Sequence, residues 1–243
     1  MNKTCVCLIT HKPDAAWLEF LQRFRAYDVF VIIDDQSLNY SDLYASQYPD
    51  ITCVQVRNID CRSRGFVNTN HAVRKKISGW DKALYYFCTL NDRYENIWFI
   101  EDDVFFGTEE TLAKIDAQYA DTDLLASKCV KDEDSLSWYH WKRIQINFAP
   151  PYYKSMVCAV RMSRALMSLV GDYAERNGTL FFLEALFPSV AKKADLSYAC
   201  PRELQSIMWR NDWAETELDN ENLFHPIKDF SLHRRYREAM TKK

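Results

Sequence analysis

Glycine is scarce in this chain: 243 residues contain five, and none forms a cluster able to wrap backbone N–H groups around a phosphate. The first apolar segment leads instead into THKPDAAW, which argues against a Gly-rich phosphate loop. Eight cysteines (Cys5, Cys7, Cys53, Cys61, Cys88, Cys129, Cys158, Cys200) include no CxxC pair. That scatter suits reduced, buried thiols better than a disulfide framework or a zinc site. No apolar run approaches the ~18 residues of a membrane span, and the opening MNKTCVCLITHK holds too short an apolar stretch for a secretory signal. A soluble, cytoplasmic protein is predicted, and the sequon Asn177-Gly178-Thr179 carries little weight in that setting. Positive charge is not in excess either, since the net charge is −3. Nucleic acid is a poor fit as a partner, although the segment from Arg57 to Lys76 is locally basic. There is no internal repeat, low-complexity tract or linker that would force a second domain.

What the chain does have is apolar content: 48% of residues are hydrophobic and 27% charged, enough to bury one sizeable core as a single domain over residues 1–243. Strand and helix patterns alternate along the first hundred residues. Strands are predicted at 4–10, 28–33, 51–56 and 96–101, with helices at 13–26 and 80–91 between them. Such alternation predicts a mainly parallel sheet covered by helices on both faces. Further on, the patterns predict a helix opened by Thr108-Glu109-Glu110, a short strand near 123–126, a charged and aromatic loop over 130–153, and a strand at 154–161. A helix over 163–176 capped by Ser163, a helical piece around Glu184 and a basic amphipathic tail helix from 229 complete the list.

The densest signal is IWFIEDDVFF at 97–106, an apolar strand that stops in Glu101, Asp102 and Asp103 before apolar residues resume. A strand buried on both faces that ends this way delivers charge to the carboxyl edge of the sheet, where α/β proteins bind ligands. Three adjacent carboxylates repel one another unless something positive sits among them. A hard dication held by oxygen ligands, Mg²⁺ or Mn²⁺, meets that need and bridges to phosphates. Asp34 and Asp35 close the second strand in the same manner, either as turn residues or as a nucleotide contact.

Taken in order, Thr10-His11-Lys12, the strand ending in Asp34-Asp35, the basic loop, GWDKALYYF at 79–87 and FIEDDVFF make the chain resemble nucleotide-sugar-dependent glycosyltransferases of the GT-A fold. VCAVRMSRALMSLV at 157–170, FFLEALFPSVA at 181–191 and FHPIKD at 224–229 extend the similarity to about residue 230. The resemblance implies a Rossmann-like GT-A sheet with a nucleotide-binding half to about 107 and an acceptor half over about 108–243. Glu101-Asp102-Asp103 stands where that family carries its DxD-type motif. Asp103 is then a direct metal ligand, His225 completes the shell, and Glu101 or Asp102 assists or meets the donor. Thr10 and Asp35 lie near the nucleotide of a UDP-sugar, with a GDP-sugar as the alternative, and a glycan or glycoconjugate hydroxyl is the acceptor.

Other residues carry two readings each. Glu184, among Phe181, Phe182 and Phe187, is either the polar face of a helix or a general base for inverting transfer, raised in pKa by its apolar neighbours. His225 is a hydrogen-bonded core residue or a nitrogen ligand. Arg62, Arg64, Arg74, Lys75 and Lys76 are solvated surface, or supply a pyrophosphate partner, with Arg64 and Lys82 singled out. Trp80 is a core aromatic or a base-stacking residue. Trp138 and Trp141 either fix their loop or stack on acceptor sugars. A sugar nucleotidyltransferase and a non-catalytic sugar-binding module are the rival functions, the former disfavoured by the missing glycine loop.

Overall fold

The structure, a computed structural model, describes residues 3–70 and 76–240; Arg74 and Lys75 of the basic segment lie outside the described residues. In chain order the elements are β1 (Thr4–Thr10), α1 (Ala15–Leu21), β2 (Asp28–Ile33), α2 (Tyr40–Tyr44), β3 (Ile51–Val54), α3 (Asn58–Ser63) and α4 (Gly79–Tyr85). A π-helical turn, Tyr86–Leu90, extends α4, and β4 (Asn96–Glu101), α5 (Glu109–Gln118), β5 (Leu124–Leu125) and β6 (Val130–Lys131) follow. The second half adds β7 (Tyr153–Lys154), β8 (Ala159–Ser163), α6 (Arg164–Asn177), α7 (Leu183–Lys193), β9 (Tyr198–Ala199) and α8 (Phe230–Met240).

Seven strands form one sheet in the order β3-β2-β1-β4-β8-β5-β9, and β6 pairs with β7 outside it. The first four are parallel to one another, while β8 runs antiparallel to β4 and β5. The interiors of β1, β2 and β4 are apolar because both faces are covered, as parallel strands require, whereas the edge strand β3 is only partly buried. Side chains alternate between the two faces: Cys5, Cys7 and Ile9 join Phe87, Phe99 and Leu186 on one side, and Val6 and Leu8 join Trp17, Trp98 and Leu112 on the other. All eight cysteines are free thiols. Among the described residues no helix is long and apolar enough to cross a membrane.

Local signals explain the element ends. The Asp14 carboxylate caps α1, Ser78 and Asp81 form a reciprocal capping box on α4, and Ser163 Oγ accepts from Leu166 N–H at the start of α6. Gly178 ends α6 in the left-handed region, φ 64°, where a side chain would be strained. Two predicted elements move. The helix expected over 13–26 stops at Leu21, and the strand expected at 154–161 divides into β7 and β8. In the gap between them Ser155 donates its N–H to the Glu184 carbonyl and its hydroxyl to the Ser127 carbonyl. An unbroken apolar run carries no period from which to read such a break.

Candidate active site

The register of the sheet brings the strand ends together. β1 pairs with β4 so that Ile9 faces Glu101, and with β2 so that Thr10 faces Ile33. The three carboxylates after β4 then separate. Asp102 turns to β1, where its Oδ2 accepts from the Thr10 hydroxyl at 2.5 Å and its carbonyl accepts from the Trp17 indole N–H at 2.7 Å. Burial pushes its carboxyl up, against the Thr10 hydrogen bond, and the charge of Asp103 adds to the rise. Glu101 faces the opposite way and accepts from the Trp80 indole N–H at 2.5 Å. Burial and then the Asp103 charge hold its carboxyl above the usual range.

Asp103 meets His225. Its Oδ1 lies 3.3 Å from His225 Nε2, and its carbonyl accepts from Ile227 N–H at 2.7 Å. A pair of backbone hydrogen bonds between Phe105 and Phe224, each 2.8 Å, locks the late segment against the strand end. The other ring nitrogen, Nδ1, is 2.6 Å from the Met208 carbonyl. A carbonyl can only accept, so Nδ1 carries a proton and Nε2 is the atom presented to the carboxylates. Burial opposes charge on this imidazole, but the Asp103 hydrogen bond and the charges of Asp103 and Glu101 outweigh it and raise its pKa. A carboxylate oxygen of Glu101, the ring of His225 and the Sγ of Cys158 place their ligand atoms within 4.8 Å of one another. Glu101, rather than Asp102, thus shares the cluster with His225.

Beside this cluster a cavity of about 760 Å³ opens, lined by Trp138, Tyr139, Lys154, Met156, Glu184 and Trp209 among others. Glu184 stands in the first turn of α7. Burial, reinforced by the charge of Glu101 and only partly offset by Lys154 and His225, raises its carboxyl to about 7. Lys154 Nζ sits 5.1 Å above the Trp138 ring, and Trp209 is 64% exposed, with the Arg210 guanidinium 5.5 Å from its ring centroid. Trp141 is not on the lining; it packs edge-on behind Trp138 at 4.7 Å.

The end of β2 is arranged differently. Asp35 accepts from the Ser37 hydroxyl at 2.5 Å and the Tyr40 hydroxyl at 2.6 Å, which lower its carboxyl to about 2. Lys82, expected at a pyrophosphate, is 1% exposed and committed to Asp34, 2.7 Å from the carboxylate and 2.6 Å from the carbonyl. Gly79 lets α4 approach this closely: a Cβ there would meet Ile9 at 2.8 Å. Trp80 is buried against Phe99 and Phe187, so its rings are core and its N–H positions Glu101. Arg64 forms an exposed ion pair with Glu175 on α6 and is not brought to the carboxylate cluster.

Cys158, Lys154 and Trp209 had no sequence signal, because each lies in an apolar or irregular stretch without a motif. Asp34 and Lys82 were both visible, but not their pairing.

No protein-family model matches this sequence, and no curated protein does. Solved structures do. The galactosyltransferase LgtC, in complex with donor and acceptor sugar analogues, superposes with a TM-score of 0.53 at 11% identity, over 98% of this chain and 96% of that one. The bifunctional glycosyltransferase WbbM in its apo form aligns at a TM-score of 0.47 and 11% identity, over 82% of this chain and 38% of its own length. A 4-diphosphocytidyl-2C-methyl-D-erythritol synthase from Anaerococcus prevotii aligns at 0.47 and 12% identity, over 82% and 87%. The fold is the GT-A, Rossmann-like one, a mainly parallel sheet covered by helices, as expected.

Proposed function

We propose that this chain is a metal-dependent glycosyltransferase that moves a sugar from a nucleotide-sugar donor, a UDP-sugar in preference to a GDP-sugar, to a hydroxyl of a glycan or glycoconjugate. One observation carries the reading: Glu101, Asp103 and His225 converge at the sheet's carboxyl edge beside Glu184, a carboxyl raised to about 7 that faces the cavity. The donor set fits a divalent cation, proposed as Mn²⁺ or Mg²⁺. His225 gives its Nδ1 proton to a carbonyl and turns Nε2 inward, the way metal-bound imidazoles are oriented. Such a cation supplies positive charge to the phosphates of the departing nucleoside diphosphate.

The chain's own residues do the rest. Glu184 takes the proton of the acceptor hydroxyl, and a carboxylate near 7 is matched to that task at neutral pH. A base on the acceptor side supports a single displacement with inversion. Trp209, exposed on the cavity lining, offers aromatic surface to sugar rings, while Trp138, stacked on Phe182 with Lys154 over its ring and Trp141 behind it, forms a fixed wall of the acceptor side. Thr10, Asp102 and Asp35 fix the donor side, within a nucleotide-binding half to about residue 107. Incubating the protein with UDP- and GDP-sugars, with and without Mn²⁺, tests the proposal. Nucleoside diphosphate release that needs the metal is the expected result; no donor consumed and none raising the melting temperature would remove the glycosyltransferase reading.

A further inference from the structure

Cys158 has a fixed relation to the first of the three carboxylates. Its carbonyl accepts from Glu101 N–H at 2.8 Å, and the next residue, Ala159, pairs with Ile100 in the antiparallel β4–β8 ladder. The thiol is therefore carried to the strand end by sheet register rather than by a mobile loop. It is buried, with 8% of the residue exposed.

The geometry is that of a third donor. Three atoms lying within 4.8 Å of one another share a point no more than about 2.8 Å from each, so at most about 0.5–0.8 Å of closure per atom reaches metal–ligand lengths of roughly 2.0–2.3 Å. Nε2 is the His225 nitrogen left over from the Met208 carbonyl, and the Glu101 carboxylate is held at Oε1 by the Trp80 indole.

We propose that Cys158 is a ligand of the cation held by Glu101 and His225, and that its sulfur makes the site favour thiophilic dications such as Zn²⁺ and Co²⁺ over Mg²⁺. This rests on the reading of the cluster as a cation site. Coordination replaces the S–H bond by a sulfur–metal bond and releases one proton to water. Thiolate sulfur suits zinc and its neighbours, whereas Mg²⁺ keeps to oxygen. Asp103, 3.3 Å from Nε2, stands outside that three-atom group and holds the imidazole rather than the shared point.

Cobalt is the probe. The full chain, stripped with EDTA and titrated with Co²⁺, is expected to develop a near-ultraviolet sulfur-to-cobalt charge-transfer band at one equivalent. Cys158→Ser is expected to lose the band and bind Co²⁺ on the order of tenfold more weakly or worse, while its affinity for Mn²⁺, measured by calorimetry, changes little. A Cys53→Ser/Cys88→Ser variant should keep the band, since Cys53 stands on the edge strand β3 and Cys88 is held at the Met167 carbonyl of α6. Stoichiometric Co²⁺ uptake by the wild-type chain without the band, or a band that survives Cys158→Ser, overturns the proposal and leaves the cation site standing. No uptake of Co²⁺ or Mn²⁺ at all removes the cation site itself. If the serine variant does not fold, Cys158→Ala takes its place, and absence of the band from the wild-type chain at one equivalent of bound Co²⁺ overturns the proposal without either variant.

Discussion

Two strand ends carry nearly the same sequence pattern and opposite electrostatics. After β2, Asp34 is met by the Lys82 ammonium and Asp35 by two hydroxyls, which hold its carboxyl down at about 2. At the end of β4, Glu101 and Asp102 are half-buried and desolvation holds both above their usual range, with His225 offsetting only Glu101. The first end is satisfied by the chain's own groups. The second is short of positive charge, and that shortfall, not the carboxylates themselves, is what the proposed cation would relieve.

Removing a charge from each end should therefore have unlike consequences. The largest is expected from Asp103→Ala, which should lower metal-dependent turnover on the order of a thousandfold. A variant that turned over normally with Mn²⁺ would break the contrast.

Glu184→Gln comes next, with turnover down on the order of a hundredfold and loss of the acidic limb of the pH–rate profile. The folded chain holds this proton up to about 7, above the carboxyl's ordinary value, so folding stability falls as pH rises between the two. Glu184→Gln should flatten that decline in denaturant titrations at pH 5 and pH 8.

Lys82→Met acts at the other end. It leaves Asp34 next to buried apolar surface without its partner and should reduce stability by about 2–3 kcal/mol, read from urea unfolding. A loss confined to activity would instead place Lys82 on the donor.

Asp35→Asn is expected to matter least. Its carboxyl is depressed, so the stability it contributes is present above its ordinary 3.8 and fades only as pH falls toward about 2. Unfolding curves of the two proteins should differ at pH 6 and converge near pH 2.

Much of the fold was legible because its signals are local. β1, β2 and β4 lie where the apolar runs put them, and α6 starts at the predicted Ser163 cap. β7 and β8 were merged in the reading, since KSMVCAVR has no period to show where the chain leaves the ladder. In the cluster, Glu101, Asp103 and His225 were visible as residue types. Cys158 was hidden inside an apolar run, where a thiol reads as a small hydrophobe. Lys82 was assigned to phosphate because sequence shows a charge but not its partner.

The sequence by itself determined that carboxylates would stand at the carboxyl edge of a parallel sheet, because strand period and apolar length are properties of consecutive residues. Only the tertiary structure decided how the carboxylates divide: Asp102 to Thr10, Glu101 to Trp80, and Asp103 to a histidine 122 residues further along. Electrostatic compensation depends on distances of a few ångströms between groups far apart in the chain, and those distances come from sheet register and from the segment that Phe105 and Phe224 lock in place.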